Sequence, residues 1–278
     1  WSEQNPADWW DAVCAGIPEL LNGFDASQVA GIGAGGQMHG LVVLDAQDKV
    51  IRPCILWNDG RTQKQVEYLN NVIGKENLSK YTANIAFAGF TAPKLLWMRD
   101  TEPENFTKIS KIMLPKLFES WEPVGTLTAE AAAKLGLPEG VKVCAGAGDN
   151  AAAAVGCGAV GNGKCNISLG TSGTVFITSS TFGGDKKHAL HSFHNDPAAR
   201  GSFIGLRMDS TRADMTQAVL EGVAFAIKDC VEIARAQGVE IASSTLCGGG
   251  AKSPLWREIM ANILGIPLAL PQTEQGPG

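Results

Sequence analysis

The sequence predicts an α/β fold, and three observations support this prediction. Apolar extended segments alternate with amphipathic helical patterns along the 278 residues. Glycine-rich turns follow several of the extended segments, as they do where a strand leads into a helix. The composition is 45% hydrophobic and 18% charged, which is ordinary for a globular protein with a substantial core.

The first half of the chain predicts a helix, then three strands, then two further helices. Asn5 and Pro6 can cap and begin the first helix, which carries apolar residues at spacings of three and four. These apolar residues are Trp9, Trp10, Val13, Ile17 and Leu20. The other predicted elements are strands at 29–34, 41–44 and 50–57, a hairpin turn at Gln47 and Asp48, and helices at 62–72 and 93–99.

The second half predicts short strands between helices. The predicted strands are 141–145, 165–169, 174–178 and 244–247, and the predicted helices are 149–155, 215–236 and 255–264. The pattern changes abruptly near Lys116 and near His194, which indicates either loops or joins where a longer chain has lost residues. We also expect further residues before Trp1 and after Gly278, so that the 278 residues are a subset of a longer protein.

Composition and spacing argue against several classes of protein. The net charge is −5 and no Lys/Arg run occurs, so no nucleic-acid partner is expected. No apolar run approaches the roughly 20 residues of a membrane span. The seven cysteines form no CxxC pair, which predicts reduced thiols in a cytoplasmic protein. Neither GxxxxGK(S/T) nor GxGxxG occurs in a suitable position, which excludes a P-loop or a Rossmann site.

Two glycine-bounded segments could bind phosphate or nucleotide. The residues between two predicted strands are Gly170, Thr171, Ser172 and Gly173, and they offer backbone N–H groups and two hydroxyls. The residues between a strand and a helix start are Gly248, Gly249, Gly250 and Ala251, which leave room for a planar ring or a phosphate. The alternatives are an ordinary hairpin turn and a tight strand-to-helix turn.

Three further groups are candidates for sugar chemistry. Asp149, followed by Asn150, stands where a strand ends and a helix begins, so it is either a helix N-cap or a general base. Gln37 and His39, on either side of Met38, offer donors and acceptors to a polyol. The last group offers an aromatic face and fixed polar groups, or alternatively a capped turn with an ion pair; it consists of Trp57, Asn58, Asp59, Gly60 and Arg61.

The order of these motifs along the chain is more specific than any one of them. The order is Gln37-Met38-His39, 55–61, 89–97, Gly148-Asp149-Asn150, 168–173 and Gly248-Gly249-Gly250-Ala251, and the stretch at 89–97 reads GFTAPKLLW. In this order the chain resembles the FGGY family of carbohydrate kinases over nearly its whole length. Within the family it is most similar to members that phosphorylate D-xylulose.

The resemblance implies a fold, substrates and residue roles. It implies two ribonuclease-H-like domains of the actin/hexokinase type, here 1–158 on the sugar side and 159–278 on the ATP side, flanking a catalytic cleft. It implies Asp149 as catalytic base, Met38 and His39 as sugar contacts, residues 170–172 as a phosphate loop and 248–250 at the adenosine. ATP, Mg²⁺, the sugar D-xylulose and a possible homodimer follow from it as well.

One departure from the family concerns the phosphate site. Family members open with an Asp-x-Gly-Thr hairpin that helps to position Mg²⁺, and this chain has no such segment. Two alternatives therefore stay open beside a D-xylulose kinase. One is a kinase for another sugar or polyol, such as ribulose, gluconate or glycerol. The other is a non-catalytic, actin-like nucleotide-binding protein, in which an aspartate at position 149 would have no use as a base.

Overall fold

The computed structural model describes residues 1–82, 84–112, 118–170, 173–180 and 202–272. The chain divides into two compact units. Unit 1 comprises Trp1–Val72 and Ala86–Gly148, and unit 2 comprises Ile73–Ile85 and Asp149–Gly278. The long segments therefore meet at the bond between Gly148 and Asp149, whereas the domain limits at 158 and 159 stay a prediction. The expected joins near Lys116 and His194 lie outside the described residues.

The elements alternate along the chain as an α/β fold requires. The strands are β1 (Glu3–Gln4), β2 (Gly31–Gly36), β3 (Val43–Leu44), β4 (Cys54–Ile55), β5 (Lys111–Ile112), β6 (Pro123–Thr126), β7 (Lys142–Gly148), β8 (Cys165–Leu169), β9 (Gly173–Ile177), β10 (Ser244–Cys247) and β11 (Leu268–Ala269). The α-helices are α1 (Pro6–Leu20), α2 (Gln63–Glu67), α3 (Lys75–Thr82), α4 (Thr91–Thr101), α5 (Pro103–Phe106), α6 (Ala129–Leu135), α7 (Asp149–Gly156), α8 (Arg212–Ala236) and α9 (Pro254–Leu264).

The main sheet of unit 1 has the order β2-β7-β6. Strands β2 and β7 are parallel, and Gly36 pairs with Gly148, so both strands end at the same edge of the sheet. A side chain at Gly146, where φ is +75°, would collide with the Ala34 carbonyl. Small residues are therefore necessary for the close pairing of these two strands.

Helix α1 begins as predicted but buries a narrower face. The Asn5 side chain accepts a hydrogen bond from the Ala7 amide at 3.2 Å, and Pro6 is the first helical residue. Ile17 packs on a core formed by Leu135, Leu137 and Val141. The predicted apolar face is only partly correct, because Trp10, Val13 and Leu20 are exposed.

The helix predicted at 62–72 is only partly α-helical. Helix α2 ends at Glu67, and the chain continues as a π-helix over Tyr68–Gly74. Asn70, within this π-helix, exchanges two hydrogen bonds with the backbone of Ala86, each 2.9 Å long. The wider turn of a π-helix changes the direction of the side chains in it, and the spacing of apolar residues does not predict such a turn.

Unit 2 is built on a sheet of order β11-β10-β8-β9, in which β9 is antiparallel to β8 and the other pairs are parallel. Helices α8 and α9 cover it through a core that includes Ile167, Val231, Leu246 and Met260. Thr211 and Asp214 form a capping box at the start of α8. The strands predicted at 165–169 and 244–247 are confirmed to the residue.

All seven cysteines are free thiols, as the sequence predicted. Over the described part of the chain, no helix combines the length and the apolar character that crossing a bilayer demands.

Candidate active site

The segment that follows β2 carries three of the predicted sugar-contacting residues. Gln37 is exposed, and its amide donates to the Gln4 side chain at 3.3 Å. His39 is half-buried, has a φ of +69° and stacks on the Phe90 ring with centroids 4.4 Å apart. A positive φ is uncommon outside glycine, so the backbone here is held by its surroundings.

Met38 packs on the last residue of β7. A methyl group at Gly148 would lie 2.7 Å from Met38 Sδ. Because Gly148 has no side chain, the thioether of Met38 fits directly on the strand end. The next residue in the chain is Asp149, the predicted base.

Asp59 and Arg61 form a buried ion pair. Asp59 Oδ1 accepts from the Arg61 amide at 2.9 Å and from Arg61 Nε at 2.8 Å, and Oδ2 accepts from Arg61 Nη2 at 2.7 Å. The Ser2 amide adds a fourth bond to Asp59 at 2.5 Å. Burial by itself would raise the pKa of Asp59, but these hydrogen bonds oppose burial and the pKa falls to about 2.

A wider network surrounds this pair. Arg61 Nη1 binds Glu3 at 2.6 Å, and Arg52 shares the same Glu3 oxygen. The Arg61 guanidinium also lies 4.0 Å from the centroid of Trp1 and 4.9 Å from that of Trp97. The polar atoms of Asp59 and Arg61 are thus engaged with protein groups. This is the ion-pair alternative left open by the sequence, and it favours a role in holding the loop.

Trp57 and Asn58 belong to the same loop. A side chain at Gly89 would collide with the Trp57 carbonyl, so the segment before α4 lies flat on this loop. Trp57 is half-buried, and Asn58 is exposed. Of the predicted sugar contacts in unit 1, Gln37 and Asn58 are exposed, and Met38, His39 and Trp57 are half-buried.

Lys94 is a residue of this region that the sequence reasoning missed. Its side chain is fully buried, and Nζ donates to the carbonyls of His39 at 2.7 Å and Gly89 at 2.6 Å. One signal was present in the sequence: Lys94 stands three and four residues before Trp97 and Met98, on the face of α4 that is buried.

In unit 2, Asp149 is the first residue of α7 and is half-buried. Asp149 Oδ1 accepts from the amide of the next residue, Asn150, at 2.8 Å. An N-cap side chain accepts from an amide two or three residues on, so this geometry does not match the capping alternative. The Asn150 side-chain oxygen accepts from the Thr174 hydroxyl at 3.4 Å, which orients the amide beside Asp149.

The predicted phosphate loop connects β8 to β9, which pair with Leu169 opposite Gly173. Gly170 is exposed, and a methyl group at Gly173 would lie 2.8 Å from Ile227 Cδ1. Thr171 and Ser172 lie outside the described residues.

The three glycines after β10 have different surroundings. A methyl group at Gly248, where φ is +87°, would lie 2.6 Å from the Leu169 carbonyl oxygen, and one at Gly250 would lie 2.6 Å from the Trp256 ring. At Gly249 no atom of the described residues lies within 4 Å of that position. Packing explains the first and third glycine, whereas Gly249 borders open space. Ala251, the next residue, is buried.

Metal ligands are not clustered in the described ranges. There, no group of three or more His, Cys, Asp or Glu side chains is arranged to hold an ion.

The chain matches two domains of one known family. Residues 1–115 and 105–156 match the FGGY family of carbohydrate kinases, N-terminal domain, and residues 180–278 match its C-terminal domain. The xylulose kinase of Escherichia coli (strain K12) is 31% identical over 375 residues, which cover 95% of this chain and 77% of that protein.

Solved structures agree with this match. A xyloylose kinase from Brucella ovis has a TM-score of 0.85 and 31% identity, covering 100% of this chain and 80% of that one. A gluconate kinase from Lactobacillus acidophilus has a TM-score of 0.84 at 20% identity, covering 99% and 78%, and at this identity the likeness concerns the fold alone.

The chain belongs to the FGGY family of carbohydrate kinases, a class of phosphotransferases. The α/β fold class with two actin/hexokinase-type domains, expected from the motif order, is confirmed by the family match and by the solved relatives. The alignment with the E. coli protein has 375 positions against 278 residues here, so that relative carries stretches with no counterpart in this chain.

Proposed function

We propose that this protein transfers the γ-phosphoryl group of ATP to D-xylulose. The observation that carries the proposal is similarity over the whole chain: xylulose kinases from several bacteria align with 95–100% of it, and the E. coli protein is 31% identical. The proposed sugar contacts Gln37, Met38 and His39 follow β2 in unit 1, and Asp149 begins α7 in unit 2. The free thiols support a cytoplasmic location, and a homodimer stays an expectation from the family.

Asp149 is the proposed general base. Its carboxylate has one oxygen bound to the Asn150 amide, and no side chain among the described residues binds the other oxygen. That second oxygen can accept the proton of the sugar hydroxyl as the hydroxyl attacks phosphorus. The Thr174 bond to Asn150 fixes a neighbouring amide that can bind an adjacent hydroxyl.

We assign sugar recognition to the segment after β2 and the loop after β4. His39 and Gln37 offer hydrogen bonds, and Met38 and Trp57 offer apolar faces to the C–H groups of the sugar. The buried ion pair between Asp59 and Arg61 holds the loop that carries Trp57. We assign these two residues an indirect contribution to sugar binding.

Nucleotide binding falls to the glycines of unit 2. Gly249 borders open space, so backbone can approach a ring or a phosphate there, with Gly248, Gly250 and Ala251 fixing its position. Gly170 and Gly173 flank Thr171 and Ser172, which we propose as phosphate contacts on the family pattern. Bound ATP supplies the phosphoryl group. Mg²⁺ stays an expectation from the family.

The test is an ADP-release assay on the protein with D-xylulose, D-ribulose, L-ribulose, gluconate and glycerol. We expect D-xylulose to give the largest kcat/KM. Asp149→Asn should lower kcat by roughly 10²–10⁴ with ATP binding retained, because a general base contributes about that factor.

The matched control is Asp229→Asn, an exposed aspartate on α8 in the same unit. It should keep the kcat of the unaltered protein. If the protein prefers another polyol, the proposed mechanism stays and the proposed substrate changes to that polyol. Binding of ATP without sugar-stimulated turnover in a folded protein would instead favour the non-catalytic alternative.

A further inference from the structure

Lys94 joins two segments that carry or support the proposed sugar contacts. Its ammonium donates to the His39 carbonyl, in the segment after β2, and to the Gly89 carbonyl, in the segment before α4. Gly89 in turn lies flat against the Trp57 carbonyl. A single buried cation therefore connects three stretches of chain that are far apart in sequence.

This cation has no direct counter-charge in the described ranges. No carboxylate oxygen there lies within 4.0 Å of Lys94 Nζ, so two carbonyl dipoles stabilise the charge. Burial lowers the pKa of Lys94 to about 8, against the opposing influence of Cys54 and Asp59. Burying a charge in this way is costly, whereas its two hydrogen bonds satisfy the carbonyls of His39 and Gly89. Core packing alone therefore does not explain the choice of lysine.

The backbone of His39 offers an explanation. His39 has a left-handed φ of +69°, which persists only where neighbouring groups enforce it. Its carbonyl accepts from Lys94 Nζ at 2.7 Å and from the Thr91 hydroxyl at 3.3 Å. Its ring stacks on Phe90, the residue between Gly89 and Thr91. The start of α4 thus fixes both the backbone and the ring of His39.

We propose that Lys94 is a positioning residue for sugar binding: by holding the His39 and Gly89 carbonyls, it sets the His39 imidazole and the Trp57 loop in the orientation that receives the sugar. The inference deepens the proposed function and rests on it. The Lys94 side chain is fully buried, so its proposed role is indirect.

The main test replaces Lys94 by methionine, an unbranched side chain that is one atom shorter and has no N–H donors. We expect the KM for the sugar to rise roughly 10- to 100-fold, because a hydrogen bond from a charged group is worth that factor. The KM for ATP should not change. A general loss of folded protein would lower kcat alone and leave both KM values as they were.

A double-mutant cycle tests whether Lys94 acts through His39. In a His39→Ala background, Lys94→Met should raise the sugar KM by a clearly smaller factor than in the unaltered protein, because the ring is gone and only the Trp57 loop is left for Lys94 to position. The same large factor in both backgrounds would overturn the proposal.

A spectroscopic measurement separates this inference from the proposed function. The imidazole resonances of the four histidines are recorded without sugar, and the His39 signal is identified by its loss in His39→Ala. Lys94→Met should shift this signal, since the ring leaves its stacked position on Phe90. This result does not depend on which sugar is the substrate, so a failed sugar assay leaves it standing.

Thr91→Val is the second variant, used because Lys94→Met could fail to fold. It removes the weaker bond to the same carbonyl and should raise the sugar KM about two- to fivefold and shift the His39 signal in the same direction. Unchanged sugar KM and an unchanged His39 signal in the folded Thr91→Val protein would contradict the proposal.

Discussion

The candidate residues of the two units are held in place in different ways. In unit 1, side chains do this: Lys94 holds the His39 carbonyl, and Arg61 holds Asp59. In unit 2, glycines allow close packing: Gly248 and Gly250 fit against Leu169 and Trp256 with no room for a methyl group. The contacts of Lys94 and Arg61 in unit 1 should therefore be sensitive to the removal of a charge, and Gly248 and Gly250 in unit 2 to the addition of a carbon atom.

The largest effect is expected for Arg61→Met in unit 1. It leaves the buried Asp59 without its partner, so the free energy of unfolding should fall by roughly 3–5 kcal/mol in urea denaturation. The control is Arg99→Met, which removes an exposed pair with Asp100 and should cost about 1 kcal/mol or less. Similar losses in both variants would contradict the difference in burial.

The next effect is expected for Gly248→Ala in unit 2. The new methyl group meets the Leu169 carbonyl in a left-handed backbone, so unfolding free energy should fall by roughly 2–4 kcal/mol. Gly249→Ala is the matched control, because its methyl group points into open space. It should leave the thermal midpoint unchanged while raising the KM for ATP. Equal stability of the two variants would remove the contrast drawn between these glycines.

A third prediction concerns the stability of unit 1 in acid. The pKa of Asp59 is about 2 when folded, below its value of about 3.9 in an unfolded chain. Because the unfolded state binds the proton first, the stabilisation is complete above about pH 4 and is lost as the pH falls through 2. Asp59→Asn should flatten this part of the curve of unfolding free energy against pH, and an unaltered curve would count against the low pKa.

The smallest effect is expected for Gly148→Ala, a tightly packed glycine of unit 1. The methyl group would displace the flexible thioether of Met38, so stability should change by less than about 1.5 kcal/mol. The sugar KM should rise a few-fold, measured beside Gly125→Ala, where the added methyl group meets no described atom within 4 Å. A sugar KM that responds equally in both variants would argue against a role for Met38.

Local signals in the sequence were sufficient for much of the fold. Asn5 and Pro6 predict the start of α1, and the small residues around Asp149 predict the change from β7 to α7. The apolar runs at 165–169 and 244–247 are buried strands of one sheet. These elements depend on neighbours in sequence, which is why pattern and capping residues predict them.

The contacts that fix the site could not be predicted in the same way. Lys94 binds the carbonyl of a residue 55 positions earlier, and Arg61 binds Glu3 at a separation of 58. No periodicity encodes which distant carbonyl or carboxylate a side chain will reach. The motif order therefore indicated the family, whereas the distinction between exposed residues and buried, ion-paired residues required coordinates.

The Glu3 carboxylate makes the first few residues part of the site. It lies in β1, which pairs with β4, and it binds both Arg52 and Arg61. A protease cut or a deletion after residue 4 would remove the carboxylate that Arg52 and Arg61 share, leaving Arg52 with Glu102 and Arg61 with Asp59. We expect shortened versions of this protein to lose stability and, because Asp59 and Arg61 hold the Trp57 loop, sugar affinity as well.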